Sequence, residues 1–203
     1  MVASNVIPHN RPNILPQDTM AVSESVSTAW LTQGPLVPKF EDALCQYLVN
    51  SNKEIHLSGV AVSSGSAALF LALKALEIGD GDEVLVPTYA CSSLLNAVYL
   101  AGATPIILDI SDIDFNPTMD MVSEKITAST RALVLTHTFG APADTMEFRS
   151  LGIRVIEDCA QSIGAKYRDE NVGRLGDIAT FSFFATKMIT TGHGGMVVSD
   201  DST

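Results

Sequence analysis

GDEVLVPTYACSSLLNAVYLAGATPIILD, residues Gly81–Asp109, sets the fold class. Glu83–Pro87 and Thr104–Asp109 are short β-rich runs that are apolar on both faces. Between them Ser92–Ala101 carries its apolar residues at helical spacing. Strand, helix and strand in this order, with strands apolar on both sides, predict parallel strands covered by helices on each face. The same alternation extends in both directions. Upstream, Gly59–Ser63 is a short strand and Ser66–Glu77 a helix. Downstream come a helix near Met119–Ile126, a strand over Arg131–Thr136, a helix near Ala143–Ser150 and strands at Ile153–Glu157, Ile178–Phe183 and Gly195–Val198. Phe40, Leu44, Tyr47 and Leu48 place a further helix over Val37–Val49. Residues 1–34 hold Pro8, Pro12, Pro16 and Gly34 as breakers and few periodic apolar positions, and read as an irregular arm. The expectation is an α/β fold, with a mostly parallel sheet flanked by helices over residues 35–203.

Composition narrows the function. The chain has 203 residues, and Lys+Arg 12 against Asp+Glu 23 gives a net charge of −11. A nucleic-acid binder needs a basic stripe, and a peripheral membrane anchor needs a basic cluster. Neither fits this balance. Hydrophobic residues make up 46% and charged residues 17%, which argues for a packed core. The longest apolar candidate, Ala67–Leu73, falls far short of the ~18–20 residues of a membrane span. The polar N-terminus has no apolar core of a secretion signal. Cys45, Cys91 and Cys159 form neither a metal pair nor a disulfide framework. The expectation is a reduced, cytoplasmic, globular protein.

Four segments carry candidate chemistry. Ser63–Ala67 joins a strand to an apolar helix, where free backbone N–H groups and serine hydroxyls make an anion pocket; Ser66 would otherwise be a plain helix cap. In Ile156–Gln161 an apolar strand runs into Glu157 and Asp158, at the end of the sheet where α/β folds bind ligands. Gln161 lies three residues on, so a helical turn would set it beside Asp158, and the competing reading is an acid capping that turn. In Phe181–Lys187 a lysine follows aromatic residues, and apolar burial suits an amine nucleophile; the alternative is a surface lysine. Thr190–Gly195 is a glycine-rich bend around His193. His56, His137 and His193 are scattered, which argues against a zinc site. Together, a phosphate cradle, a carboxylate, a serine and a lysine match the needs of pyridoxal 5′-phosphate: donors for its phosphate, an anion for its ring nitrogen, an amine for its aldehyde.

The segments SGSAALFLALKAL, GDEVLVPTYACSSLLNAVYLAGATPIILDI, HTFGAPAD, VIEDCAQSIGAKY and GDIATFSFFATKMITTGHGGMVVSDD resemble the DegT/DnrJ/EryC1/StrS sugar aminotransferases, a branch of the fold-type I pyridoxal-phosphate enzymes. The resemblance runs from about Gly34 to the end. It implies the large domain of an aspartate-aminotransferase-like fold. Matched motif by motif, Ser66, Ala67 and Ser182 would hold the phosphate, Asp158 the ring nitrogen, Gln161 the phenolic oxygen, and Lys187 the aldehyde carbon. His137 would sit beside the cofactor pocket. The implied reaction moves an amino group, from glutamate, to a keto group of a nucleotide-linked sugar, in a homodimer. Relatives that are dehydratases have His where Lys187 stands, which favours transamination here.

The sequence departs from the family pattern in three places. Cys91 matches a position where many relatives place an aromatic ring over the cofactor, and Tyr89 would point the other way in an extended segment. His193 replaces a common acid. The chain ends soon after Lys187, whereas relatives continue into a smaller domain and share site residues across a dimer. The competing expectation is therefore a truncated or split, non-catalytic remnant that needs a partner chain. A nucleotide-binding domain using the serine cradle alone has no GxGxxG or P-loop pattern behind it.

Overall fold

A computed structural model describes residues 7, 8, 10–49 and 56–200. In chain order it holds α1 (Pro16–Ser27), α2 (Leu36–Val49), β1 (Ser58–Val62), α3 (Gly65–Ala75), β2 (Glu83–Pro87), α4 (Ser93–Ala101), β3 (Thr104–Leu108), α5 (Met119–Ser123), β4 (Thr130–Leu135), α6 (Thr145–Arg149), β5 (Arg154–Asp158), β6 (Lys166–Tyr167), β7 (Glu170–Asn171), β8 (Ile178–Ser182) and β9 (Gly195–Ser199). Seven strands form one sheet in the order β1-β9-β8-β5-β4-β2-β3. Strand β9 runs antiparallel to both of its neighbours, and the remaining pairs are parallel. The mostly parallel, helix-flanked sheet expected from the sequence is thus present.

Side-chain alternation divides the core into layers. Val84, Val86, Ala132, Val134 and Ile156 face α3 and α4 and pack with Leu69, Leu73, Leu94 and Val98. Leu85, Leu133, Leu135 and Val155 face the other way and pack with Val122 of α5 and Phe148 of α6. Every one of these side chains is buried, so the strands are apolar on both faces because both faces are covered. A third cluster sets Leu44, Cys45 and Leu48 of α2 against Phe181, Met196 and Val198 of β8 and β9. The Asn171 amide donates to the carbonyl oxygens of Tyr47 and Leu48, which satisfies acceptors in the last turn of α2.

Residues 1–34 are not irregular throughout, because Pro16–Ser27 is a helix. Pro16 opens it instead of breaking it: at the first helical position proline's missing N–H has no partner to lose. The Asp18 carboxylate accepts from the backbone N–H of Leu15 at 2.8 Å and closes the first turn. No residue of α1 is buried, which is why its sequence shows no apolar period. The β6–β7 hairpin also escaped the sequence reading. Its turn residues Arg168 and Asp169 have φ of +48° and +69° without the Asn-Gly or Asp-Gly signal of such turns.

The strand β9 seats the start of α3. A Cβ on Gly195 would overlap the carbonyl of Ser64, the residue that caps α3. Gly195→Ala is therefore expected to destabilise the fold by about 3 kcal/mol. Urea unfolding of the two proteins measures this, as a lower midpoint at unchanged slope.

Candidate active site

Strands β2, β4, β5 and β8 are parallel, so their carboxyl ends lie along one edge of the sheet, where open α/β folds bind ligands. A cleft of about 330 Å³ opens there. It is lined by Tyr89 and Cys91 after β2, Thr136 after β4, Asp158 at the end of β5, Ser182 at the end of β8, and Lys187 beyond it. The turn into α3 adds Ser64, Gly65 and Ser66, and Gln161 and Phe184 complete the wall.

The turn into α3 is capped by Ser64, not by Ser66. The Ser64 hydroxyl accepts from the N–H of Ala67 at 3.1 Å. Ala67 does not line the cleft, and its N–H is engaged in this cap. The Ser66 and Ser182 hydroxyls have no hydrogen-bond partner among the described residues. The N–H groups of Gly65 and Ser66 begin the helix and are the donors left over at its positive end. A Cβ on Gly65 would come within 2.7 Å of the Ser182 Cβ, so glycine lets these two segments meet.

Asp158 and Glu157 divide into two roles through strand alternation. Asp158 faces the cleft and is 8% exposed. Its Oδ1 accepts from the N–H of Ala160 at 3.0 Å. Burial pushes its pKa up, against the Ala160 hydrogen bond and the nearby Lys187 charge. Glu157 faces the interior and is fully buried. It accepts from the N–H groups of Leu175 and Gly176 at 2.7 Å each, from Gly173 N–H at 3.0 Å, and from His137 Nε2 at 2.8 Å. Burial opposes its charge, yet His137 and the backbone donors outweigh burial and hold the carboxyl below the usual range.

His137 is therefore not a wall of the cleft. Its Nδ1 accepts from the N–H of Ala143 at 3.0 Å, which leaves the proton on Nε2, facing Glu157. It is buried at φ +42°, directly after Thr136, which does line the cleft. His137, Glu157 and Cys159 lie close enough to hold a metal ion, but both ring nitrogens and both carboxylate oxygens are already engaged. His193 is exposed and does not line the cleft. Its ring stands 5.3 Å from that of Phe184, which does.

Lys187 is half-buried in mixed company, with Asp158 and Cys91 close enough to act on it electrostatically. Cys91 is an exposed free thiol. The Ser93 hydroxyl and N–H hold its pKa below the ordinary value, helped by the Lys187 charge. Tyr89 lines the cleft beside it, against the expectation that it points away. Residues 88–90 form a bend and not a strand, so period-two alternation does not apply to them. The arm also reaches this region: the Asn10 amide donates to the Thr186 carbonyl at 3.0 Å. Tyr89, Thr136 and Thr186 were absent from the sequence-derived site. Thr136 could have been found from its place at a strand's carboxyl end.

Comparison with known proteins gives a consistent result. The model of the DegT/DnrJ/EryC1/StrS aminotransferase family matches residues 12–203, and so includes α1. The chain is 38% identical over 203 residues to the GDP-perosamine synthase of Escherichia coli O157:H7, covering 97% of this chain and 54% of that protein. The aminotransferase TlmJ from Streptoalloteichus hindustanus superposes with a TM-score of 0.88 at 32% identity, over 97% of this chain and 54% of the other. The PLP-form of the putative sugar aminotransferase Spr1654 from Streptococcus pneumoniae gives 0.87 at 27% identity, over 97% and 53%. The chain spans about half the length of the relatives it matches.

Because the folded-state pKa of Glu157 is depressed, its stabilising effect is present above the ordinary Glu pKa near ~4.3 and fades as pH falls toward the folded value. Glu157→Gln should lose about 3 kcal/mol at pH 7. Urea unfolding across a pH series should show that deficit shrinking below about pH 4.

Proposed function

Since the chain belongs to the DegT/DnrJ/EryC1/StrS aminotransferase family, we propose that its cleft holds pyridoxal phosphate for transfer of an amino group to a keto group of a nucleotide-linked sugar. The observation that carries this reading is the meeting of Ser66, Asp158, Ser182 and Lys187 in one cleft. The residues fit the cofactor. Two leftover helix N–H groups and two unpartnered hydroxyls suit a phosphate. A buried carboxylate with one oxygen tied to Ala160 has its other oxygen for a ring N–H. On this reading residues 35–203 form the cofactor-binding portion of the family's fold.

The bound cofactor supplies an aldehyde for amine exchange and a ring that takes up electrons from the substrate carbon. The protein's own groups do the rest. Gly65 and Ser66 N–H and the Ser66 and Ser182 hydroxyls bind phosphate oxygens, with the N-terminal dipole of α3 adding attraction. Ala67 acts one step back, by fixing the Ser64 cap. Asp158 keeps a proton on the ring nitrogen; the cationic N–H in turn offsets the burial that disfavours its carboxylate. Gln161, in the turn that follows Asp158, would donate to the phenolic oxygen. Lys187 Nζ would hold the cofactor through its aldehyde carbon, with water leaving, and as a free amine would take and return the proton at the substrate carbon. Tyr89 lines the cleft beside Cys91 and would supply the aromatic contact to the ring.

Glutamate is the proposed amino donor, by family resemblance. A homodimer is supported by the arm, where Met20, Val22, Trp30 and Leu31 are 58–73% exposed. Among the described residues no helix is long and apolar enough to cross a membrane. Three free cysteines are in keeping with a cytoplasmic site of action.

Borohydride reduction after incubation with pyridoxal phosphate should leave the cofactor fixed to Lys187, seen as a mass increase on the peptide that contains it. Lys187→Ala should show none; a fixed cofactor in that variant would remove Lys187 from the role. Lack of fixation in the folded wild-type chain would favour the reading in which a partner chain completes the site. Asp158 has a raised folded-state pKa, so its ionisation lowers the stability of the unloaded chain as pH rises. Asp158→Asn should therefore raise the thermal midpoint at pH 7 without cofactor, and weaken cofactor binding roughly tenfold or more. Calorimetry and equilibrium dialysis check the two halves of this expectation.

A further inference from the structure

Three aromatic rings, one after each of β2, β3 and β4, pack together, and the first of them lines the cleft. They belong to Tyr89, Phe115 and Phe139, which are 50%, 38% and 65% exposed. Tyr89 and Phe115 lie 5.4 Å apart and tilted, at 31°. Phe139 stands edge-on to both, 6.0 Å from each at 66° and 83°. Tyr89 and Phe115 are thus offset face to face, and Phe139 closes the cluster edge-on. Phe115 and Phe139 sit at φ of +61° and +53°, an unfavourable backbone for bulky residues. A buried polar clamp holds them there. Asn116 donates to the Ala141 carbonyl at 3.0 Å and accepts from Thr138 N–H at 3.1 Å. The Thr138 hydroxyl donates to the Phe115 carbonyl at 3.2 Å and meets Thr136 at 2.9 Å. Ordered polar groups inside thus fix exposed apolar rings outside, on strained backbone.

We propose that Tyr89, Phe115 and Phe139 form a stacking ledge for the nucleobase of the nucleotide-linked sugar, an inference that rests on the substrate class proposed above. The rings touch one another at 5.4–6.0 Å, so no cation fits between them and only their outer faces take a ligand. A flat ring can stack on an exposed outer face, and Phe139, at 65% exposed, offers the most. Asp112 and Asp114 flank Phe115 and repel a diphosphate. The uncharged base therefore faces this flank, and Tyr89 joins the ledge to the cleft.

The test uses the 203-residue chain loaded with pyridoxal phosphate. GDP and UDP are titrated in parallel, with inorganic pyrophosphate as the base-free control. The expected result is that at least one nucleotide binds tenfold or more tightly than pyrophosphate, with its base protons taking the strongest saturation transfer in NMR. Phe139→Ala should weaken that nucleotide by roughly tenfold or more, and Phe139→Trp should restore it. Neither change should move the affinity for pyridoxal phosphate. Equal nucleotide affinity in Phe139→Ala would overturn the ledge and leave the substrate class standing. No nucleotide binding by the wild-type chain would overturn both. Loss of self-association in Phe139→Ala with unchanged nucleotide affinity would make the ledge a contact between copies, and would also overturn it.

Discussion

A carboxylate buried away from water must be matched by donors, and Glu157 is matched on every side. The match joins three stretches of chain distant in sequence. It holds the end of β5, the loop from Gly173 to Gly176, and His137 after β4. His137 in turn is anchored by Ala143, at the entrance to α6. Asp158 is the next residue, so its direction into the cleft is set by the grip on its neighbour. One inward acid, ionised and saturated, positions one outward acid that burial leaves incompletely satisfied. The cleft's electrostatics follow from that pairing of opposites along a single strand.

The fold was largely legible because its central strands are covered on both faces. Such strands read as short apolar runs and stand out from helices that bury at least one face, and the edge strands β1 and β3 were read from the alternation around them. Elements that bury nothing or little gave no such signal. The helix α1 is exposed along its length, and β6–β7 is only two residues on each strand. Proline at the first turn of α1 carries the same letter as a breaker, and only the Asp18 cap tells the two apart.

The site was legible where side chains act and obscure where backbone acts. Asp158, Gln161, Ser182 and Lys187 were found at strand ends or just after them, and they line one cleft. The capping role was read onto Ser66 but falls to Ser64, since a one-residue shift in helix start cannot be seen in a run of serines. Tyr89 was turned away by an alternation that ends with β2. His137 was placed by resemblance beside the pocket, and in the structure it supports the pocket from behind. Its left-handed backbone and double hydrogen bond depend on contacts that no local pattern encodes.

The strand β9 has a bearing on how the molecule is made. Among the described residues β1 stands at one edge of the sheet and pairs with β9 alone. Ser58 meets Ser199 and Val62 meets Gly195 across that ladder. The turn that presents Ser64, Gly65 and Ser66 thus depends on a ladder between two strands far apart in sequence. During translation α3 and the central strands can gather around their local contacts, but the edge that carries this turn must wait until β9 has emerged. Closing so long a loop costs more entropy than the local contacts do, which sets this edge behind the central strands. Until then the turn hangs on an unpaired strand, and a ribosome-bound chain would hold most of its core before it could grip an anion.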